Sequence, residues 1–319
     1  MTTIIMRPYR GQKDLEAITN LINICDAFDN LSQGVSISEL QTIFNAPTFD
    51  KTRDACLWED ADGQLISYGR LRITEPSEVI DVFLGFYVHP SARGISLETQ
   101  IIEWSKQRLL QAREEHGLPV KLHCGARNCH TYRIAILENH GFTVERYFFT
   151  MERSLSQLIP QPQFPHGFAL RYVNGLQDAS RMVDLWNNSF IDHWNYHPIT
   201  VEIWKNMLTA PNYKPELDLV AIASNGTFAA WCRCGIFPEK NARTGRNESS
   251  VGGLATRRGF RKMGLGRAML LSGMHQLKEA GMETVKLDVD ADHPNGALRL
   301  YKSVSFSELH TQVYYVKDV

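Results

Sequence analysis

The chain has 319 residues, 43% of them hydrophobic and 22% charged, as in an ordinary globular protein. Thirty-four Lys and Arg against 35 Asp and Glu leave no charge excess to draw nucleic acid or an anionic membrane. No run approaches the roughly 20 apolar residues that cross a bilayer, and the early charges of MTTIIMRPYRGQK are unlike a secretory leader, so a cytoplasmic protein is expected.

In chain order, the pattern predicts a strand at Ile4–Tyr9, a helix at Asp14–Cys25 and a strand pair, Ala55–Glu59 with Leu65–Ile73, joined by the turn Asp60-Ala61-Asp62-Gly63. Strand, long helix, strand, short helix and strand follow, ending with Tyr147–Met151. SQLIPQPQFPHG then has three prolines, which lack a ladder donor, and reads as a linker.

The order repeats after it. Strand Phe168–Val173 and helix Gln177–Asn187 lead to a second pair, Leu219–Ala223 with Phe228–Ile236, across Ser224-Asn225-Gly226. A charged turn at Asn241–Glu248 precedes strand Val251–Thr256. Helix Gly264–Ala280 places Leu270, Met274 and Leu277 on one face and stops at Gly281. Strand Thr284–Asp290, short helix Asn295–Ser303 and strand Thr311–Val316 complete the chain. A repeat of about 150 residues means a duplicated domain, not a solenoid. Expected boundaries are 1–155, a linker at 156–167, and 168–319, each domain an α/β unit with a mixed sheet.

Six cysteines, Cys25, Cys56, Cys124, Cys129, Cys232 and Cys234, form no C-x-x-C pair and meet no His cluster. Small buried hydrophobes are expected, and no metal site.

The strongest local signal is Arg261-Lys262-Met263-Gly264-Leu265-Gly266, followed by Arg267, between a strand and a helix. The unpaired amides and partial positive charge of a helix N-terminus attract an anion, and glycines let it come close. This is a diphosphate cradle by physical logic. It lacks the G-K-[S/T] ending of a Walker loop and the G-x-G-x-x-G of a dinucleotide loop.

VGGLATRRGFRKMGLGRAML followed by DVDADHPNGALRLYKSVSF resembles motifs A and B of the GNAT N-acetyltransferase superfamily. NNSFIDHWNYHPIT resembles the helix region of tandem GNAT proteins of mycothiol-synthase-like layout. The resemblance implies two tandem GNAT-type domains, each a mixed, mostly antiparallel twisted sheet flanked by helices, the second catalytic and the first degenerate. In the first, Leu137–Phe142 matches the close of motif B, but Val88–Ser96 lacks the two-glycine spacing, so this half is expected to be structural or to shape the acceptor cleft. Ser305-Phe306 replaces the family's Gly-Phe; if that position needs φ > 0, Ser costs about 1 kcal/mol.

The resemblance also implies acetyl-CoA as co-substrate, held by Arg261, Lys262, Met263, Gly264, Leu265, Gly266 and Arg267. The backbone of Leu254, Ala255 and Thr256, with Asn295, would take the pantetheine arm and thioester carbonyl. Tyr301 is the expected acid for the leaving thiolate, with burial in the core as its other reading. Glu248 is the candidate general base, with Asp192 and His193 as weaker candidates on the acceptor side; the alternative for Glu248 is a solvated residue of the charged turn. Asp192, His193 and Trp194, in a patch with Phe190, Tyr196 and His197, would form an acceptor wall or pack against the sheet. The expected reaction is acetyl transfer to the primary amine of a small metabolite by a monomer or weak homodimer. The alternatives are a peptide or protein amine acetyltransferase and a non-catalytic CoA-binding sensor.

Overall fold

The computed structural model describes residues 3–319 apart from Gln33, Ser77, Pro211 and Pro294. Its elements are β1 (Ile5–Pro8), α1 (Gln12–Phe28), α2 (Ile37–Phe44), β2 (Ala55–Glu59), β3 (Leu65–Ile73), β4 (Ile80–Val88), α3 (Leu97–His116), β5 (Val120–Arg127), α4 (Thr131–Asn139) and β6 (Thr143–Ser154). Then come β7 (Phe168–Tyr172), α5 (Ala179–Ser189), α6 (Val201–Met207), β8 (Asp218–Ala223), β9 (Phe228–Ile236), α7 (Pro238–Thr244), β10 (Glu248–Thr256), α8 (Leu265–Glu279), β11 (Thr284–Asp290), α9 (Ala297–Ser303) and β12 (Ser307–Asp318).

Two compact units form: Met1–Tyr147 with Gln312–Val319, and Phe148–Thr311. In the first, the sheet runs β1-β2-β3-β4-β5 and is closed by the end of β12, where Gln312–Asp318 pairs antiparallel with β5. In the second it runs β7-β8-β9-β10-β11 and is closed by the end of β6, where Phe148–Ser154 pairs antiparallel with β11. Only β4–β5 and β10–β11 are parallel among the strand pairs within the units. A parallel pair needs a crossover, which α3 and α8 supply. Each unit is therefore a mixed, mostly antiparallel sheet flanked by helices.

The division differs from the expected one. It falls inside β6, and the last eight residues join the first unit. The physical reason is sheet completion: each parallel pair gains its outer antiparallel neighbour from the other half of the sequence. The Pro-rich segment is not a free tether, since Ile159 is buried in the second unit's core and Phe164 packs against it. The expected charged turn at Asn241–Glu248 is largely α7, opened by Pro238 at its first turn and closed by Gly245 at φ 64°.

In the second unit α8 buries Leu265, Met269, Leu270, Met274 and Leu277 at helical spacing. It lies close to β9 because of Gly273: a Cβ there would stand 2.8 Å from the sulfurs of both Cys232 and Cys234. Those two cysteines do share a face, Sγ to Sγ 3.9 Å. Five cysteines are buried as expected, but Cys129 is exposed. Ser305 has φ 68°, the strained value anticipated for the missing glycine. No helix among the described residues is long and apolar enough to cross a membrane.

Candidate active site

The site of interest lies in the second unit, where β10 and β11 part. They pair in parallel at Glu248 with Thr284, Ser249 with Val285 and Ser250 with Lys286, and no further among the described residues. A bulge between Val251 and Gly253 then turns β10, which stays paired with β9 as far as Thr256. From Val251 onward one backbone edge of β10 thus faces a wedge instead of a strand. Trp231 fixes the bulge. Its indole Nε1 donates to Asp218 Oδ1 at 2.6 Å, and a Cβ on Gly253 would lie 2.4 Å from its ring.

After β10 the chain makes a short 3-10 turn, Arg258–Phe260, and enters α8 through Lys262 at φ 63° and Gly264 at φ 89°. Gly264 is the N-cap and offers no side-chain acceptor. A Cβ on it would meet nothing within 4 Å, so the first turn of α8 opens outward. At Gly266 a Cβ would meet Thr256 Oγ1 at 3.4 Å and Leu300 at 3.6 Å, so the second glycine keeps the floor of this opening shallow. The first amides of a helix have no intrahelical acceptor, and here no capping side chain meets them.

The loop's charged residues divide their work. Arg261 turns inward: Nη1 donates to Asp192 Oδ2 at 2.6 Å and to Asn295 Oδ1 at 3.2 Å, Nη2 to the Ser189 carbonyl at 2.7 Å, and Nε to the Thr256 carbonyl at 3.2 Å. Arg258 completes a clamp on Asp192 through Nε at 3.0 Å and through Nη2. These two guanidinium groups hold the Asp192 carboxyl well below the usual carboxylate range. Asp192 therefore anchors the loop, and its charge is not available to draw a cationic amine. Arg267 Nη1 donates to Ser303 Oγ at 2.8 Å. Lys262 and Met263 stand exposed, and Lys262 forms no ion pair among the described residues.

Tyr301 is 8% exposed and sits in one cluster with Val251, Leu287 and Val289, residues of the two strands that part. Its hydroxyl makes no hydrogen bond among the described residues. Burial, and secondarily the nearby Cys232, push the phenol well above its ordinary value, so it stays protonated at neutral pH. The ring is part of the core, as one reading from the sequence had it, and the hydroxyl is unengaged. Asn295 is not the cap of α9, which is Gly296 at φ 71°; Asn295 instead receives Arg261.

Glu248 lies at the closed, paired end of the strands. Burial alone would raise its pKa, but Lys286 at 2.7 Å, then Arg246 at 3.2 Å and Lys240, outweigh it and bring the net value down. A carboxylate so stabilised is a poor proton acceptor, which sets the structure against the expected base role. His193 packs edge-on against Phe190 and His293 and at a tilt against Phe148, centroids 6.1, 5.7 and 6.4 Å away, while Trp194 packs on Phe148. His193 Nδ1 faces the Trp194 carbonyl at 3.0 Å. A carbonyl only accepts, so Nδ1 carries a proton, and in the neutral ring Nε2 is the nitrogen with the lone pair.

Sequence reasoning missed Arg258 and His293, whose partners Asp192 and His193 are far away in the chain. It also missed the parting of the strands, although Gly252-Gly253 inside a strand was a signal for a bulge.

A parallel pair that splays beyond a bulge, beside an open helix N-terminus behind two glycines, is the architecture of a GNAT-type fold. In sequence and in fold the chain is similar to tandem GNAT acetyltransferases of mycothiol-synthase-like type. The family model described as "Acetyltransferase (GNAT) family" matches residues 179–306. A mycothiol acetyltransferase of Thermobispora bispora is 29% identical over 55% of this chain and 58% of its own length. Another, of Pseudarthrobacter chlorophenolicus, is 24% identical over 96% of this chain and 94% of its own. The crystal structure of a GCN5-related N-acetyltransferase from Sphaerobacter thermophilus superposes with a TM-score of 0.75 at 26% identity, covering 99% of this chain and 95% of that one.

Proposed function

We propose that the chain transfers the acetyl group of acetyl-CoA directly to the primary amine of a small metabolite. The observation that carries this reading is the outward-facing first turn of α8 next to the unpaired edge of β10. In this reading the amides of Leu265, Gly266 and Arg267 hold the diphosphate, with Lys262 supplying charge beside it. The backbone of Leu254, Ala255 and Thr256 takes the pantetheine arm and the thioester oxygen, where preorganised donors contribute a few kcal/mol. The amine attacks the carbonyl carbon, the C–S bond breaks, the thiolate takes its proton from the Tyr301 hydroxyl, and the proton released by the acylated nitrogen restores the phenol.

An alkyl amine must first lose a proton, a handicap of about 4–5 kcal/mol at pH 7. With Glu248 locked among cations, the Nε2 lone pair of His193 is the better acceptor, directly or through water. The aromatic group around His193 and Trp194 then serves as the acceptor wall. That the relatives are mycothiol acetyltransferases supports a small-molecule acceptor over a peptide.

The test is release of free CoA thiol from acetyl-CoA with a panel of small amines and, separately, lysine peptides. Turnover with a small amine supports the reading, whereas turnover with peptides alone replaces the acceptor class. The ion-paired state of Glu248 favours one second reading, a CoA-binding sensor. Saturable acetyl-CoA binding with no thiol release across both panels would establish it.

A further inference from the structure

The first unit has its own parting of parallel strands. β4 and β5 pair from Ile80 with Val120 to Leu84 with Cys124 and then separate. A cavity of about 230 Å³, room for about seven waters, opens there between Phe86 and Val88 of β4 and Ala126 of β5.

This cavity is not built for CoA. The first turn of α3 carries Glu98 where a glycine stands in α8, and the carboxylate is 3% exposed. Tyr132 donates its hydroxyl to it. A side chain of the protein's own therefore fills the helix position that a glycine leaves open in α8. Leu137 stands where the second unit has Tyr301, so no acid is present either.

The cavity does hold positive charge. Arg93 and Asp29 answer each other in a two-pronged pair at 2.8 and 2.6 Å. Arg70 and Arg133 also line it, and neither has a carboxylate partner. Arg133 reaches across the parted strands: Nη1 donates to the Phe86 carbonyl at 3.1 Å, its guanidinium stacks 4.1 Å from the Phe86 ring, and buried Nε has no acceptor. Arg70, on β3 opposite Gly85, makes no hydrogen bond or ion pair among the described residues. A Cβ at Gly85 would come within 3.4 Å of Arg70 Nε, so the glycine makes room for this side chain. The lining also includes apolar Ile22, Leu31, Leu40 and Ile43, and the carboxylate of Asp26, which has a partner of its own.

We infer that this cavity binds a small organic carboxylate with a short apolar tail, its head group on Arg70 and Arg133 and its tail against Ile22, Leu40 and Ile43. A guanidinium without a carboxylate partner favours an anion that it can meet with two parallel donors. The apolar lining selects an organic anion over an inorganic one, and the volume limits it to a few carbons.

Hexanoate is the probe, titrated calorimetrically into the full-length protein, with 1-hexanol and inorganic phosphate as controls. Saturable hexanoate binding is expected, at least about tenfold tighter than either control. R70Q and R133Q should each weaken it by about tenfold or more, and R70K should restore part of the loss. Acetyl-CoA affinity should stay within about twofold in all three variants, read in the same folded samples. The inference is overturned by hexanol binding as tightly as hexanoate, by no saturation with hexanoate, or by unchanged affinity in R70Q and R133Q. It is equally overturned if hexanoate competes with acetyl-CoA, which would place it in the second unit. The proposed transferase activity stands or falls separately, on thiol release.

Discussion

The ring of Trp231 occupies the space that a side chain at position 253 would need: a Cβ on Gly253 would stand 2.4 Å from it. Trp231 is 1% exposed and is tied to Asp218, so it cannot yield. This pair sets the bulge at which β10 leaves β11. Gly253→Ala should therefore destabilise the protein by about 1–3 kcal/mol, seen as a lower Tm, and should weaken acetyl-CoA binding in the fraction that folds. A variant with unchanged Tm would mean the bulge tolerates the added carbon.

Tyr301→Phe removes one hydroxyl that has no partner in the protein, so stability should hardly change. The expected result is a fall in kcat of about ten- to a hundredfold with acetyl-CoA affinity preserved. Equal kcat under chemistry-limited conditions would take the acid role from Tyr301.

Glu248 and His193 separate in their kinetics. Glu248→Gln should keep most of its kcat, while His193→Gln loses about tenfold or more. The sign of the Glu248 stability effect follows from its depressed folded-state pKa. The ion pairs contribute above the unfolded carboxylate value of about 4.3 and fade as pH falls through the lower folded value. Glu248→Gln should thus cost about 1 kcal/mol at pH 7 and progressively less toward acid, measured by denaturant unfolding at a series of pH values. A constant difference at every pH would deny the ion-pair account.

Asp192→Asn should loosen Arg258 and Arg261 together, because one carboxylate holds both. The expected outcome is an acetyl-CoA KM raised by about three- to tenfold with a smaller change in kcat, since the loop is affected and the reacting atoms are not. A kcat that collapses with KM unchanged would return Asp192 to the acceptor side.

Much of the fold was readable from local signals. β2, β3, β9 and β11 fall where alternation and Gly turns put them, and α8 starts and stops within a residue of its expected range. The completion of each sheet by a strand from the other half was not readable. Nothing in Phe148–Ser154 or Gln312–Asp318 alone says which distant strand it will pair with. The same limit applied at the site. The glycines of the loop and Tyr301 were legible as a motif, and φ 68° at Ser305 followed from the missing glycine. That Arg261 turns inward to Asp192, and that Lys286 disarms Glu248, depend on partners that only the folded chain assembles.

The central claim is that the open first turn of α8 grips the diphosphate of CoA, and Gly264→Val tests it most directly. The position has φ 89° and nothing within 4 Å of a would-be Cβ, so the β-carbon of valine meets no protein atom, while its branched side chain strains the backbone and adds bulk at the helix end. Calorimetric titration of acetyl-CoA into the wild-type protein and into folded Gly264→Val should show saturable binding in the first and a loss of about a hundredfold in the second. Equal affinity in the two proteins would contradict the account.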